Sequence, residues 1–147
     1  MIIFEVKENK KKYLPLLLLA DEQESMIDRY LGRGRMYALK DGHVKAICVV
    51  TDEGNGVLEL KNLATETCSQ HKGYGRKLIE FIVQTYQKQY STLQVGTGDS
   101  PATVPFYEKC GFKKSHVIKN FFTDYYDHPI YEDDIQLVDM VYLCRKL

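Results

Sequence analysis

The chain has no surplus of either charge, no long apolar run, no paired-cysteine motif and no linker-like stretch. Lys and Arg together number 20, as do Asp and Glu, so the formal net charge is zero. A general nucleic-acid binder usually carries a basic excess, and no nucleic-acid partner is expected. The longest apolar run, Leu14 to Ala20, is interrupted by Pro15. It falls short of the roughly 18 residues a membrane helix needs, so no membrane partner is expected. It follows Lys10, Lys11 and Lys12 as a signal peptide would, but the strand-like Ile2-Ile3-Phe4-Glu5-Val6 precedes it and Asp21-Glu22 follows at once. Those flanks argue against a leader. The cysteines, Cys48, Cys68, Cys110 and Cys144, are scattered without a Cys-x-x-Cys. Neither a disulfide scaffold nor a structural zinc is expected. These absences read as a reduced, cytoplasmic protein.

What is present is enough apolar material for a core. Hydrophobic residues make up 44% of the 147, with 11 Tyr and 6 Phe. No repeat and no Ser-, Pro- or Gly-rich linker divides the chain, so residues 1–147 are expected to form one domain. Ile2 to Val6 reads as a strand, and Lys12 to Tyr30 as two short helical stretches broken near Ala20-Asp21. Arg35 to Lys40 and His43 to Thr51 read as strands joined by the hairpin signal Asp41-Gly42. In the second, Val44, Ala46, Cys48 and Val50 share one face and His43, Lys45, Ile47 and Val49 the other. Glu53-Gly54-Asn55-Gly56 is a turn, and Val57 to Thr65 completes an antiparallel meander. Leu78, Ile79, Ile82, Val83 and Tyr86 recur at helical spacing within a helix from about Tyr74 to Gln89. Leu93 to Thr97 is a strand, reached by a parallel crossover. Pro101 to Lys109 reads as a short helix, Phe112 to Lys119 and Gln136 to Arg145 as a last antiparallel pair, and Asn120 to Ile135 as irregular. The fold class is α/β (α+β): a mixed sheet with helices on its faces.

Two motifs carry chemistry. Gln70-His71-Lys72-Gly73-Tyr74-Gly75-Arg76 lies between a strand and an amphipathic helix. Glycines at a helix start let backbone approach a ligand, and the free N–H groups of the first turn face an anion along the helix dipole. Lys72 and Arg76 add positive charge, so the loop suits a phosphate or pyrophosphate. It is neither a Walker loop nor Gly-x-Gly-x-x-Gly. The second motif is Phe106-Tyr107-Glu108-Lys109-Cys110-Gly111-Phe112, a short helix ending at a C′ glycine before a strand.

Together, Gln-x-x-Gly-x-Gly and then Phe-Tyr-Glu-Lys-x-Gly-Phe resemble the GCN5-related N-acetyltransferase (GNAT) family, closely from Val57 to Phe112. The resemblance implies a mostly antiparallel sheet with a splayed parallel strand pair, Val57 to Thr65 and Leu93 to Thr97, that receives acetyl-coenzyme A. It implies that the pantetheine arm pairs with Leu63, Ala64 and Thr65, beside a β-bulge expected there. It places the pyrophosphate on the amides from His71 through Lys72, Gly73, Tyr74 and Gly75 to Arg76, and sets Ser100 where many relatives have a pantetheine-binding Asn. Tyr107 matches the family's general acid for the departing thiolate, and an N–H at Ala64 or Thr65 would polarise the thioester carbonyl. The attacking amine must lose a proton. Glu59, acting through water, is the preferred base, with an ordinary surface carboxylate paired to Lys61 as its other reading. Glu66 is the alternative base, or else tunes the loop. Cys68 and Cys110 are read as bland thiols, with no ping-pong nucleophile.

Phe121 to Asp134 carries five aromatics and five carboxylates with no Lys or Arg. Ending at Asp139-Met140, it resembles a tail found in an uncharacterised bacterial subgroup of the family. Asp124, Asp127, Glu132, Asp133 and Asp134 suit a cationic amine, and a solvated acidic cap is the competing reading. His128 is read as structural. The expected function is acetyl transfer to a small-molecule amine acceptor, a polyamine or aminoglycoside-like compound. The alternatives are a peptide or protein amine, or a non-catalytic coenzyme A-binding module. A homodimer is possible on the resemblance.

Overall fold

The computed structural model describes residues 1–147. Its main sheet has seven strands in the order β1-β2-β3-β4-β5-β9-β6. These are β1 (Ile2–Val6), β2 (Arg35–Asp41), β3 (His43–Gly54), β4 (Val57–Thr65), β5 (Thr92–Gly98), β6 (Lys113–Ile118) and β9 (Met140–Lys146). Every neighbouring pair is antiparallel except β4 and β5. The helices are α1 (Leu14–Ala20), α2 (Glu24–Ile27), α3 (Tyr74–Tyr86), α4 (Val104–Lys109) and α5 (Phe121–Tyr125). The tail expected to be irregular contains α5 and a two-stranded hairpin of β7 (Tyr131–Glu132) and β8 (Ile135–Gln136). The left-handed pair Asp133 and Asp134 turns that hairpin. No helix is long and apolar enough to cross a membrane.

The sheet is covered on both faces. Leu78, Ile79, Ile82 and Tyr86 of α3 pack with Leu58, Leu60, Leu93, Val95, Phe112 and Leu143 on one side. Leu17 and Ile27 of α1 and α2 pack with Tyr30, Met36, Ile47, Val49 and Ala64 on the other. Each such fully buried aliphatic side chain is worth roughly 1.5–3 kcal/mol.

Two bulges correct the simple alternation of the strands. In β3, Leu39 pairs with Ala46 but Lys40 with Val44, so Lys45 is an extra residue. Val44 therefore joins the α1 side, while Ala46, Cys48 and Val50 stay with α3. In β4, Val49 faces Asn62 but Val50 faces Leu60, which leaves Lys61 extra. That bulge lies two residues before the Leu63–Thr65 stretch where it was expected. Its effect is a change of face: Leu58 and Leu60 point toward α3, then Leu63 does, while Asn62 and Ala64 turn to the α1 side. A bulge reorients every side chain beyond it.

The bulge also opens the sheet. The β4–β5 ladder runs only from Val57↔Thr92 to Leu60↔Val95. Beyond it β4 stays with β3 and β5 stays with β9, so the two central strands part company. Gly96 sits at the fork because a Cβ there would lie 2.6 Å from Met140 Sδ and 2.9 Å from the Tyr142 ring.

Candidate active site

The fork between β4 and β5 is a cleft of about 270 Å³. Tyr107 of α4 lines it, with Leu60 to Leu63 of β4, Val95 to Gly98 of β5, and residues of the α1–α2 connection and the tail. On the cleft side, β4 from Lys61 to Thr65 has no strand beside it, so the edge that carries Leu63, Ala64 and Thr65 keeps unpaired backbone groups.

At the end of that edge, Gln70 Nε2 donates to the Thr65 carbonyl at 3.3 Å and draws the loop back on itself. His71 has φ +64° and Gly73 φ +86°, both left-handed. Such residues aim successive N–H groups to one side. Gly73 caps α3, and a Cβ added to it meets nothing within 4 Å, so the space outside this turn is open. The N–H groups of Tyr74, Gly75 and Arg76 belong to the first turn and lack intrahelical acceptors. Lys72 and Arg76 are exposed beside them. Backbone N–H groups arranged in this way suit an anion. The Tyr74 side chain is turned inward, its hydroxyl donating to Asp41 at 2.7 Å, so only its amide faces the loop. Gly75 lies against Phe106, Leu63 and Thr65, which brings the helix start close to the strand edge.

Tyr107 is 8% exposed and packs edge-on against Phe106 and Phe112. Burial pushes its phenol above the ordinary value of 10. Ser100 is buried and its hydroxyl accepts from the Ala102 amide at 3.0 Å, within the turn that leads to α4.

The two candidate bases are held very differently. Glu59 is no surface carboxylate: it is 4% exposed, and its oxygens accept from Gln94 at 2.6 Å, Lys61 at 2.8 Å and Tyr142 at 3.2 Å. It lines a cavity of about 190 Å³ that adjoins the cleft and shares Asp21, Leu60, Lys61, Gly96, Tyr126 and Met140 with it. Glu66 anchors the loop. Its Oε1 accepts from Ser69 at 2.6 Å and from His43 at 2.8 Å, and these bonds pull its pKa down to about 2. Cys110 is buried, and desolvation raises its thiol, while Cys68 is exposed and bonded to Glu66.

Of the five tail carboxylates, only Glu132 lines the cleft. Burial raises its pKa, and the neighbouring Asp133 charge adds to that. Asp124, Asp127, Asp133 and Asp134 are exposed. His128 is structural in its contacts, bridging Asp127 at 2.5 Å and Glu22 at 3.4 Å. The structure supplies acids that the motifs did not reveal: Asp21 and Glu22, from the break after α1, line the cleft as well. The Asp21 carboxylate accepts from Tyr30 at 3.0 Å and from Tyr126 at 2.7 Å, which ties the tail to the α1–α2 connection. Asn62 is a third unforeseen member; a polar residue within the apolar run of β4 was its only sequence signal.

A sequence profile described as an acetyltransferase (GNAT) domain matches residues 32–114. The chain is 33% identical over 144 residues to the uncharacterized N-acetyltransferase YvbK of Bacillus subtilis, covering 96% of this chain and 93% of that one. Among solved structures, a GNAT family acetyltransferase of Elizabethkingia anophelis with acetyl-coenzyme A bound superposes with a TM-score of 0.94. It is 32% identical, over 99% of this chain and 97% of that one. An IAA acetyltransferase from Bacillus cereus gives 0.92 at 35% identity over 99% of both chains.

Proposed function

The chain belongs to the GNAT family and is an acetyl-coenzyme A-dependent N-acetyltransferase, and we propose that its acceptor is a small cationic primary amine. The observation that carries this reading is the cleft's lining. It includes the carboxylates of Asp21, Glu22 and Glu132 and the rings of Tyr107, Phe122, Tyr126 and Tyr131. Its only basic residue, Lys61, is already paired with Glu59. Carboxylates attract an ammonium, and aromatic faces complement it.

Bound acetyl-coenzyme A supplies an acyl group activated as a thioester. In this reading the amides from His71 to Arg76 hold its pyrophosphate, with Gln70 closing the loop and Lys72 and Arg76 adding charge. The free edge at Leu63, Ala64 and Thr65 holds the pantetheine arm, and Ser100 shapes the turn that presents α4. Tyr107 gives its proton to the departing sulfur. A phenol raised by burial stays protonated at neutral pH, and a thiolate leaving in the same cleft is made more basic by the same desolvation. Glu59 takes the amine's proton through water, because its oxygens are already engaged by three donors.

The test is a panel of amines with acetyl-coenzyme A, reading free thiol release. Polyamines and aminoglycoside-like amines should outpace neutral amines, with the margin shrinking as salt screens the carboxylates. Equal rates at all salt concentrations would sink the cationic acceptor.

A further inference from the structure

Asn62 lines the cleft and carries a polar atom that the rest of the chain leaves unsatisfied. Asn62 is 3% exposed, yet its Oδ1 has no hydrogen-bond partner, the one such buried side-chain atom in the structure. The amide's orientation is fixed. Nδ2 donates to the Leu17 carbonyl at 3.0 Å and to the Tyr30 hydroxyl at 3.1 Å. A carbonyl only accepts, so a flipped amide would set oxygen against oxygen. Tyr30 cannot turn to help, because its own hydrogen is donated to Asp21. Asn62 and Asp21 therefore flank one hydroxyl, and both line the cleft. The bulge at Lys61 turns Asn62 to this face just where β4 leaves β5. A buried acceptor left unpaired is costly and calls for a donor from outside the chain.

We propose that the Asn62 amide oxygen and the Asp21 carboxylate together receive the acceptor's primary nitrogen, which makes Asn62 a specificity residue that counts N–H groups. The inference rests on the amine-acceptor reading above. A primary ammonium brings three N–H groups: one for Asn62, one for Asp21, and one that is lost before attack. An ammonium methylated twice brings only one N–H and leaves an oxygen unmet. Asp21 is bonded by two neutral phenols and is raised by burial, so an arriving ammonium also supplies the positive charge it lacks.

The probes are putrescine and N,N,N′,N′-tetramethylputrescine, titrated calorimetrically into the protein loaded with coenzyme A, with putrescine turnover assayed alongside. Wild type should bind putrescine at least about tenfold more tightly than the tetramethyl compound, as one charge-assisted hydrogen bond allows. Asn62→Ser should weaken putrescine roughly tenfold, cut the preference below about threefold and raise KM more than it lowers kcat, with coenzyme A affinity unchanged. Asn62→Asp keeps the accepting oxygen if its second oxygen carries a proton to the Leu17 carbonyl, and should retain the preference at some cost in thermal stability. The proposal is overturned if Ser and Asp behave alike, or if Asn62→Ser weakens both amines equally. Should Asn62→Ser fail to fold, equal wild-type affinity for the two amines overturns it alone. Absence of putrescine binding to the loaded wild type also overturns it, whereas turnover of other panel amines would leave the acetyl-transfer reading standing.

Discussion

The two sides of the β4–β5 fork are built on different principles. The side toward α3 uses backbone: the unpaired edge of β4, a left-handed turn at His71 and Gly73, and the free amides of a helix start. The side toward α1 and the tail uses side chains brought from far apart, with Asp21, Asn62, Tyr107, Tyr126 and Glu132 meeting in one cleft. A backbone cradle is written in a few adjacent residues and tolerates change in most side chains around it. A side-chain site is sensitive to each member, and its hydrogen bonds span separations of 45 residues for Asn62 to Leu17 and 105 for Tyr126 to Asp21. In the proposed reading, the first side holds acetyl-coenzyme A and the second sets the acceptor.

Breaking each side separately should separate the kinetic constants. The largest effect is expected from Tyr107→Phe, which keeps the ring and removes the hydroxyl. Its kcat should fall by roughly 100-fold or more, the usual scale of a lost general acid, with coenzyme A affinity intact by calorimetry. Normal turnover with a lowered melting temperature would make Tyr107 a packing residue. Gly73→Asp attacks the other side. It adds a negative charge at the anion cradle and a Cβ at φ +86°. The left-handed conformation alone costs a non-glycine residue about 1–2 kcal/mol. Coenzyme A should bind about tenfold more weakly or worse, and unchanged binding would place the cofactor elsewhere.

Glu59→Gln tests the region between the two sides. Lys61, 21% exposed at its side chain, would lose its carboxylate. A drop in unfolding free energy of about 1–3 kcal/mol is expected from urea titration. If Glu59 also takes the amine's proton, kcat should fall by roughly 100-fold while coenzyme A affinity holds. A stability loss with an unaltered kcat would leave it a structural anchor.

The smallest effect belongs to Glu66. Its folded pKa of about 2 lies below the ordinary 4.5, so its bonds to Ser69 and His43 stabilise the fold above pH 4.5. That contribution fades as pH falls toward 2. Glu66→Gln should flatten the loss of melting temperature over this range. The change should be slight, because the group is exposed to solvent screening. An identical acid profile in the variant would contradict the anchoring role.

The same contrast explains what was legible in the sequence. The glycine turn, the α3 periodicity and the Phe-Tyr-Glu-Lys-x-Gly-Phe segment are local patterns, and they located the fork's strands and α4. The bulges were not legible at their residues, because one extra residue in a ladder leaves no compositional mark. Lys45 and Lys61 look like ordinary alternating positions, yet each flips the strand beyond it. Hence Val44 was assigned to the wrong face and Asn62 passed as filler. The tail's acidity was plain, but which acid enters the cleft depends on α5 and the β7–β8 hairpin, and only Glu132 does. Asp21 read as a helix break because its partners, Tyr30 and Tyr126, are joined to it by tertiary structure alone.

The structure also offers a rival seat for an anion. A wide groove of about 920 Å³ gathers Arg76, Lys109, Lys113, Arg145 and Lys146 against a single Glu80. Amide chemical-shift mapping of ¹⁵N-labelled protein during a coenzyme A titration distinguishes it from the backbone cradle most directly. The account predicts the largest shifts at Leu63 to Thr65 and His71 to Arg76, with small ones at Lys113 and Arg145. Shifts concentrated at Lys109, Lys113 and Arg145, with Gly73 to Gly75 silent, would contradict it.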